Sequence, residues 1–179
     1  MKASDFSLYS STTLLCILLF STSIPFIKCD DLIDQICKRT PFRDLCEASL
    51  RSSSQSSGAD AKGLASIVTS LILSDATDTL DYIHGLIKQV KDPELQRPLA
   101  NCAELYIPVV KYNLPQAIDA FAKGQYGFAT YVLSDASKQA KACEKGFSSS
   151  TASPLSERNK VVSDLCDVAI AIIKLLQKI

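Results

Sequence analysis

Leu64-Ala65-Ser66-Ile67-Val68-Thr69-Ser70-Leu71-Ile72, continued by Leu80, Ile83, Ile87 and Val90, carries apolar side chains at three- and four-residue steps. That spacing returns each of them to one side of a 3.6-residue helix, whereas a strand would need alternation. The stretch decides the fold because three more segments repeat its pattern. The second starts near Pro93, with Asp92 as N-cap, Pro93 at the first helical position and Glu94 at the positive end of the dipole. It runs through Leu95, Leu99, Cys102, Leu105 and Val109, and Pro108 and Pro115 predict a kink or break. The third follows Gly124 through Tyr126, Ala129, Val132, Leu133, Ala136, Ala140 and Cys143. The fourth follows Pro154 with Val161, Val162, Leu165, Cys166, Ala169, Ile170, Ile173 and Leu176. No segment shows two-residue alternation. The expected fold is all-α, an antiparallel up-down-up-down four-helix bundle over 59–178. Ahead of it, residues 30–52 form two short helical pieces around Thr40-Pro41, tied to the bundle by the Ser-rich run 52–58.

Composition agrees with a helical protein and removes several functions. The 179 residues are 47% hydrophobic, too apolar for a disordered chain. Nineteen basic residues against nineteen acidic ones give no net charge, which argues against a nucleic-acid binder. The one histidine excludes a multi-His metal site.

Residues 1–29 read as a secretory signal peptide. Lys2 supplies the positive end, and Leu14-Leu15-Cys16-Ile17-Leu18-Leu19-Phe20 is an apolar core too short for a membrane anchor. Cleavage after Cys29 is the first choice and after Ser23 the second. The mature domain is then 30–179, secreted to the extracellular space. Loss of Lys2, Lys28 and Asp5 leaves 17 bases and 18 acids. Five cysteines remain: Cys37, Cys46, Cys102, Cys143 and Cys166. An odd number in an oxidising compartment predicts two disulfides and one free thiol, with the partners left open by counting alone. Locality suggests Cys37 with Cys46, because nine residues can close a small hairpin.

Chemistry is nearly absent from the sequence. Asp75, Asp78, Asp81 and His84 recur at three-residue steps and read as a solvated polar face rather than a metal site. Asp164 and Asp167 flank Cys166, but paired carboxylates need a cleft to do acid–base work. Cys166 sits on the apolar side of its helix and reads as a buried, inert thiol. No nucleophile elbow, phosphate loop or dinucleotide fingerprint occurs. No catalytic residue, cofactor or metal is therefore expected, and such a protein works by binding.

The segment from Asp31-Leu32-Ile33 to Cys37-Lys38-Arg39-Thr40-Pro41, followed by Leu45-Cys46, resembles the opening of the plant invertase/pectin methylesterase inhibitor family. Asp60-Ala61-Lys62-Gly63-Leu64-Ala65 extends the match. Cys102-x-x-x-Tyr106, Lys123-Gly124-Gln125-Tyr126, Cys143-Glu144-Lys145-Gly146-Phe147 and Asp164-Leu165-Cys166-Asp167 carry it through the mature chain. The resemblance implies a Cys37–Cys46 bridge in an N-terminal hairpin that projects from the bundle. It also implies a Cys102–Cys143 bridge and a free Cys166. It implies a non-covalent inhibitor of one of two enzymes. The invertase class resembles Gly-Asp-Pro-Lys-Phe at the turn into the third bundle helix. Here the run is Gly124-Gln125-Tyr126-Gly127-Phe128, which keeps Phe128 but lacks the proline and lysine. Pectin methylesterase is accordingly the first expected partner, in the apoplast or cell wall. Acid invertase is the alternative, with the vacuole as a further location. Expected contacts are Asp75, Asp78, Asp81, Gln125, Tyr126 and Phe128. Ala142, before the fourth bridging cysteine, and Leu114-Pro115-Gln116-Ala117-Ile118 lean towards the invertase class.

Overall fold

The computed structural model describes residues 29–147 and 152–178. The expected signal segment, except position 29, and most of the Ser148–Pro154 linker lie outside them. Seven α-helices follow in order: α1 Cys29–Cys37, α2 Arg43–Ser52, α3 Ala61–Gln89, α4 Pro93–Pro108, α5 Leu114–Ala122, α6 Tyr126–Lys145 and α7 Ser156–Leu176. A 3₁₀ turn spans Ser54–Ser56, and no strand occurs among the described residues.

Local sequence explains the helix boundaries. The Asp60 carboxylate accepts from the Gly63 amide at 2.7 Å and opens α3. Asp92 accepts from the Glu94 amide at 3.0 Å and opens α4, with Pro93 in the first turn. Both satisfy donors that no helical carbonyl can reach.

The expected kink or break at 108–115 takes a different form. The chain stays helical from 93 to 122, and Val109–Asn113 is one widened π turn. Leu114 N–H bonds back to Val109 C=O, five residues earlier. A proline at 115 in a regular helix would have its ring pressed on the carbonyl of residue 111 and would leave that carbonyl without a donor. Shifting the register by one residue relieves this without ending the helix.

The long elements pack as a four-membered ring. α7 lies against α6 and α3, α5 and α4 lie against α6, and α3 closes the ring on α4 and α5. Cross-links give the directions. Cys102 and Asn113 meet Cys143 and Asp135, so α4–α5 runs antiparallel to α6. Ser137 meets Asp167 while Glu144 meets Ser156, so α6 runs antiparallel to α7. The core is continuous and apolar, with Leu64, Ile72, Ile83, Leu99, Leu114, Leu133, Leu165 and Ile173 fully buried. Each such side chain contributes about 1.5–3 kcal/mol.

The expected N-terminal hairpin is present ahead of the bundle, formed by α1 and α2. α1 and α2 fold back on α3 and α7. Ile33, Ile36, Cys37, Cys46 and Leu50 are buried in the same core as the bundle. Lys160 of α7 lies 5.6 Å from the Phe42 ring centroid at the hairpin tip. Apolar residues at these five positions have more to gain on a helix face than in water. On the exposed side Arg43 ties the two arms by bonding Asp34 at 2.8 Å, and it bonds Glu47 of its own helix at 2.7 Å.

Candidate partner-binding surface

The turn between α5 and α6 is built to be rigid. Gly124 has φ +73°, a left-handed conformation that a glycine adopts without strain. The Gln125 amide bonds Ala120 C=O at 2.8 Å and the Gly124 amide bonds Phe121 C=O at 3.0 Å. This pair of bonds is the Schellman closure of a helix end. The Tyr126 ring packs on Phe121, with centroids 5.5 Å apart, and locks the turn from the inner side.

The expected contact residues divide by exposure. Gln125 and Phe128 are exposed, but Tyr126 is half-buried because Phe121 takes one face of its ring. Tyr126 shapes this surface more than it offers contact. On α3, Asp78 and Asp81 are exposed, as is His84, while Asp75 is half-buried. Three-residue steps drift about 60° each around a helix, so these four residues do not share one stripe. Burial pushes the Asp75 carboxyl up, Asp78 pushes it further, and Arg158 opposes both. The acidic residues are not next to the turn. The turn lies level with the start of α3, so Asp78 sits on the order of 20 Å further along the axis.

Exposed rings beside the expected Phe128 were not singled out from the sequence, Tyr131 and Tyr82 among them. Phe128 (49% exposed) stacks on Tyr131 (70% exposed), with centroids 6.5 Å apart. Their three-residue spacing on a helix starting at Tyr126 was the available signal. Tyr82 is also exposed but lies under Arg158, 4.5 Å from its guanidinium.

The cysteines join as Cys37–Cys46, with Cα atoms 5.6 Å apart, and Cys102–Cys143, 4.7 Å apart. Cys166 is free and wholly buried, and burial pushes its thiol well above the usual thiol range. A thiol held so is a poor nucleophile. Asp164 is buried and paired with Lys160 at 2.7 Å, while Asp167 pairs with Lys141 at 3.1 Å. The two carboxylates thus serve separate ion pairs and form no acid–base couple. Among the described residues no cluster of His, Cys, Asp and Glu has metal-binding geometry. No described helix is long and apolar enough to cross a membrane.

A buried polar chain sits behind the second disulfide. Tyr106 O–H donates across the bundle to Asn159 Oδ1 at 2.8 Å. The Asn159 amide donates to Glu144 at 2.8 Å and meets Cys143 Sγ at 3.3 Å. Glu144 also accepts from Ser156 at 2.5 Å and from Ser153 at 2.9 Å. Its carboxylate therefore sits at the N-terminal end of α7, where the helix dipole favours it. Burial raises the Glu144 carboxyl, but these three donors outweigh it and hold the group below its ordinary value. Asn159 has no motif to announce it.

Known proteins share this architecture and sequence. Residues 31–172 match the model of the family described as plant invertase/pectin methylesterase inhibitor. The Arabidopsis thaliana protein named "Cell wall / vacuolar inhibitor of fructosidase 1" is 38% identical over 141 residues, 79% of this chain and 67% of that one. "Cell wall / vacuolar inhibitor of fructosidase 2", also from Arabidopsis thaliana, is 41% identical over 76 residues, 42% of each chain. A crystal structure of a mutant pectin methylesterase inhibitor from Arabidopsis superposes with a TM-score of 0.69 at 23% identity, covering 80% of this chain and 95% of that one. The last likeness concerns the fold alone. With the family model spanning most of a helical bundle that carries two disulfides, the chain belongs to the plant invertase/pectin methylesterase inhibitor family.

Proposed function

We propose that the protein is a secreted inhibitor, not itself an enzyme, that covers the substrate cleft of an acid invertase in a non-covalent one-to-one complex. The observation that carries the choice of target is the 38% identity over 141 residues to a protein named as a fructosidase inhibitor. The rigid Gly124 turn with exposed Gln125 and Phe128 is the contact we favour, since a preorganised loop loses little entropy on docking. A stable complex of this type buries about 1,200–2,000 Å² in total.

Pectin methylesterase is the second reading, and the turn itself favours it. Tyr126 and Gly127 stand where the invertase class resembles Pro-Lys, so no cation is aimed at a glycosidase's carboxylates. The wall is the site of action under either reading, with the vacuole as a further location if the target is invertase.

Purified mature protein titrated separately against acid invertase and pectin methylesterase distinguishes the targets. Stoichiometric loss of invertase activity, with the esterase untouched, is expected. Inhibition of the esterase alone would transfer the assignment to the second reading. A folded sample that inhibits neither would overturn both.

A further inference from the structure

A cleft of about 410 Å³ separates the hairpin tip from the first half of α7. Phe42 and Leu45 on the hairpin side and Val161 on α7 give it half-buried apolar walls. An exposed carboxylate stands on each wall, Asp44 on α2 and Glu157 on α7. Asp164 lines the cleft as well but is buried, only 7% exposed. The cleft already holds one alkylammonium. The Lys160 ammonium lies 2.7 Å from the Asp164 carboxylate and 5.6 Å from the Phe42 ring centroid, while its side chain stays largely exposed. A carboxylate and a ring face thus share one cation.

The charges of this region do not cancel. Arg43 and Lys160 line the cleft against Asp44, Glu157 and Asp164. With Asp34 and Glu47, which bond Arg43, and Lys38, which bonds Asp34, three cations face five carboxylates. The other nearby cations are placed elsewhere: Arg158 lies over Tyr82, and Arg39 lines a separate groove with Leu32 and Leu176.

We propose that this cleft binds an aliphatic polyamine. Such a ligand carries ammonium groups at the ends of a methylene chain. Its ends meet Asp44 on one wall and Glu157 on the other, and its methylenes leave water against Leu45 and Val161. A divalent metal ion would share the charge but would gain nothing from the apolar walls, and no cluster with metal-binding geometry occurs among the described residues. Pairings between α6 and α7 put the cleft on the order of 25 Å along the bundle from the Gly124 turn. Binding here does not depend on which enzyme the protein inhibits.

The test is isothermal titration calorimetry of the mature protein with putrescine and spermidine, with the diol matching putrescine as the uncharged control. Saturable binding of both amines is expected, tighter for spermidine and fading as salt rises. Asp44→Asn with Glu157→Gln should weaken it about tenfold, since two exposed charge pairs are lost. Glu104→Gln with Asp119→Asn, the same charge change at exposed positions on α4 and α5, should alter it by no more than about twofold. Amide resonances of 41–45 and 157–164 in the unaltered protein should move on titration, a readout that stands even if the first variant fails to fold by circular dichroism. Absence of saturable binding, equal binding of the diol, equal weakening by the two double variants, or resonance shifts confined to other residues would overturn the proposal.

Discussion

Replacing Asn159 by Ala tests whether the buried polar chain behind the second disulfide holds the bundle together. The residue is 2% exposed, and its side chain meets Tyr106, Glu144 and Cys143. Substitution leaves the wholly buried Tyr106 hydroxyl without its partner, at about 1–3 kcal/mol. It also removes one of three donors to the Glu144 carboxylate, at roughly 1.5 kcal/mol for a bond to a charged group. The expected loss is about 3–4 kcal/mol, a large part of the stability of about 5–15 kcal/mol that a domain possesses. Tyr106→Phe should cost less, about 1–2 kcal/mol, because it leaves only Asn159 Oδ1 without its donor while the Asn159 amide still donates to Glu144. The double variant should be less destabilised than the two losses combined by about 1 kcal/mol or more, since both remove one bond. Urea unfolding followed by circular dichroism reads these as midpoint shifts at constant slope. A loss below about 1 kcal/mol for Asn159→Ala, or strict additivity, would refute the reasoning.

Glu144→Gln should flatten the acid side of the stability curve. The folded-state carboxyl lies below its ordinary value of 4.5, so its stabilisation is present above that pH and lost as pH falls through the lower folded value. Melting temperatures between pH 3 and pH 6 check this, and the variant should converge on the parent at the acid end. Replacing both Cys102 and Cys143 with Ala opens a 41-residue separation and should cost about 4 kcal/mol on the chain-entropy account, measured by the same urea titration. Gly124→Ala meets no atom within 4 Å but must hold φ near +73°, so it should cost about 1 kcal/mol from backbone strain alone. Cys166 should resist a thiol reagent in the native state and react on unfolding, as followed by absorbance.

The bundle was legible because its four apolar periods are long and are punctuated by Asp92, Gly124 and Pro154. The widened turn at Val109–Asn113 was not, because Pro108 and Pro115 announce only that regular bonding must fail, not how it is repaired. The hairpin itself was expected, but not the surfaces its apolar residues cover. Ile33, Ile36 and Leu50 declare an apolar face but not the face they meet, which the contacts with α3 and α7 supply. At the candidate surface, sequence position suggested Gln125, Tyr126 and Phe128 as equals. Only the ring contact with Phe121 separates Tyr126 from the other two. Asn159 reads as an ordinary polar residue, since its three partners come from 16, 15 and 53 residues away.

The cross-helix polar contacts of the bundle are unevenly placed. Cys102–Cys143, Tyr106–Asn159, Glu144–Ser156, Lys141–Asp167, Asn113–Asp135 and Arg158 over Tyr82 all lie between the middle of the bundle and the end where α3 turns into α4. Beyond Asn113, towards Gly124, the packing described is apolar, with Phe121 against Tyr126 and Leu133, Ile172 and Ile173 in the core. The molecule therefore resembles a set of rods laced at one end. Thermal opening should begin at the unlaced end, and backbone amides of 116–130 should exchange with solvent sooner than those of 99–106 and 156–162. An enzyme that gripped the rigid Gly124 turn would hold this end of the bundle closed, and binding would slow exchange at 116–130 more than at 99–106.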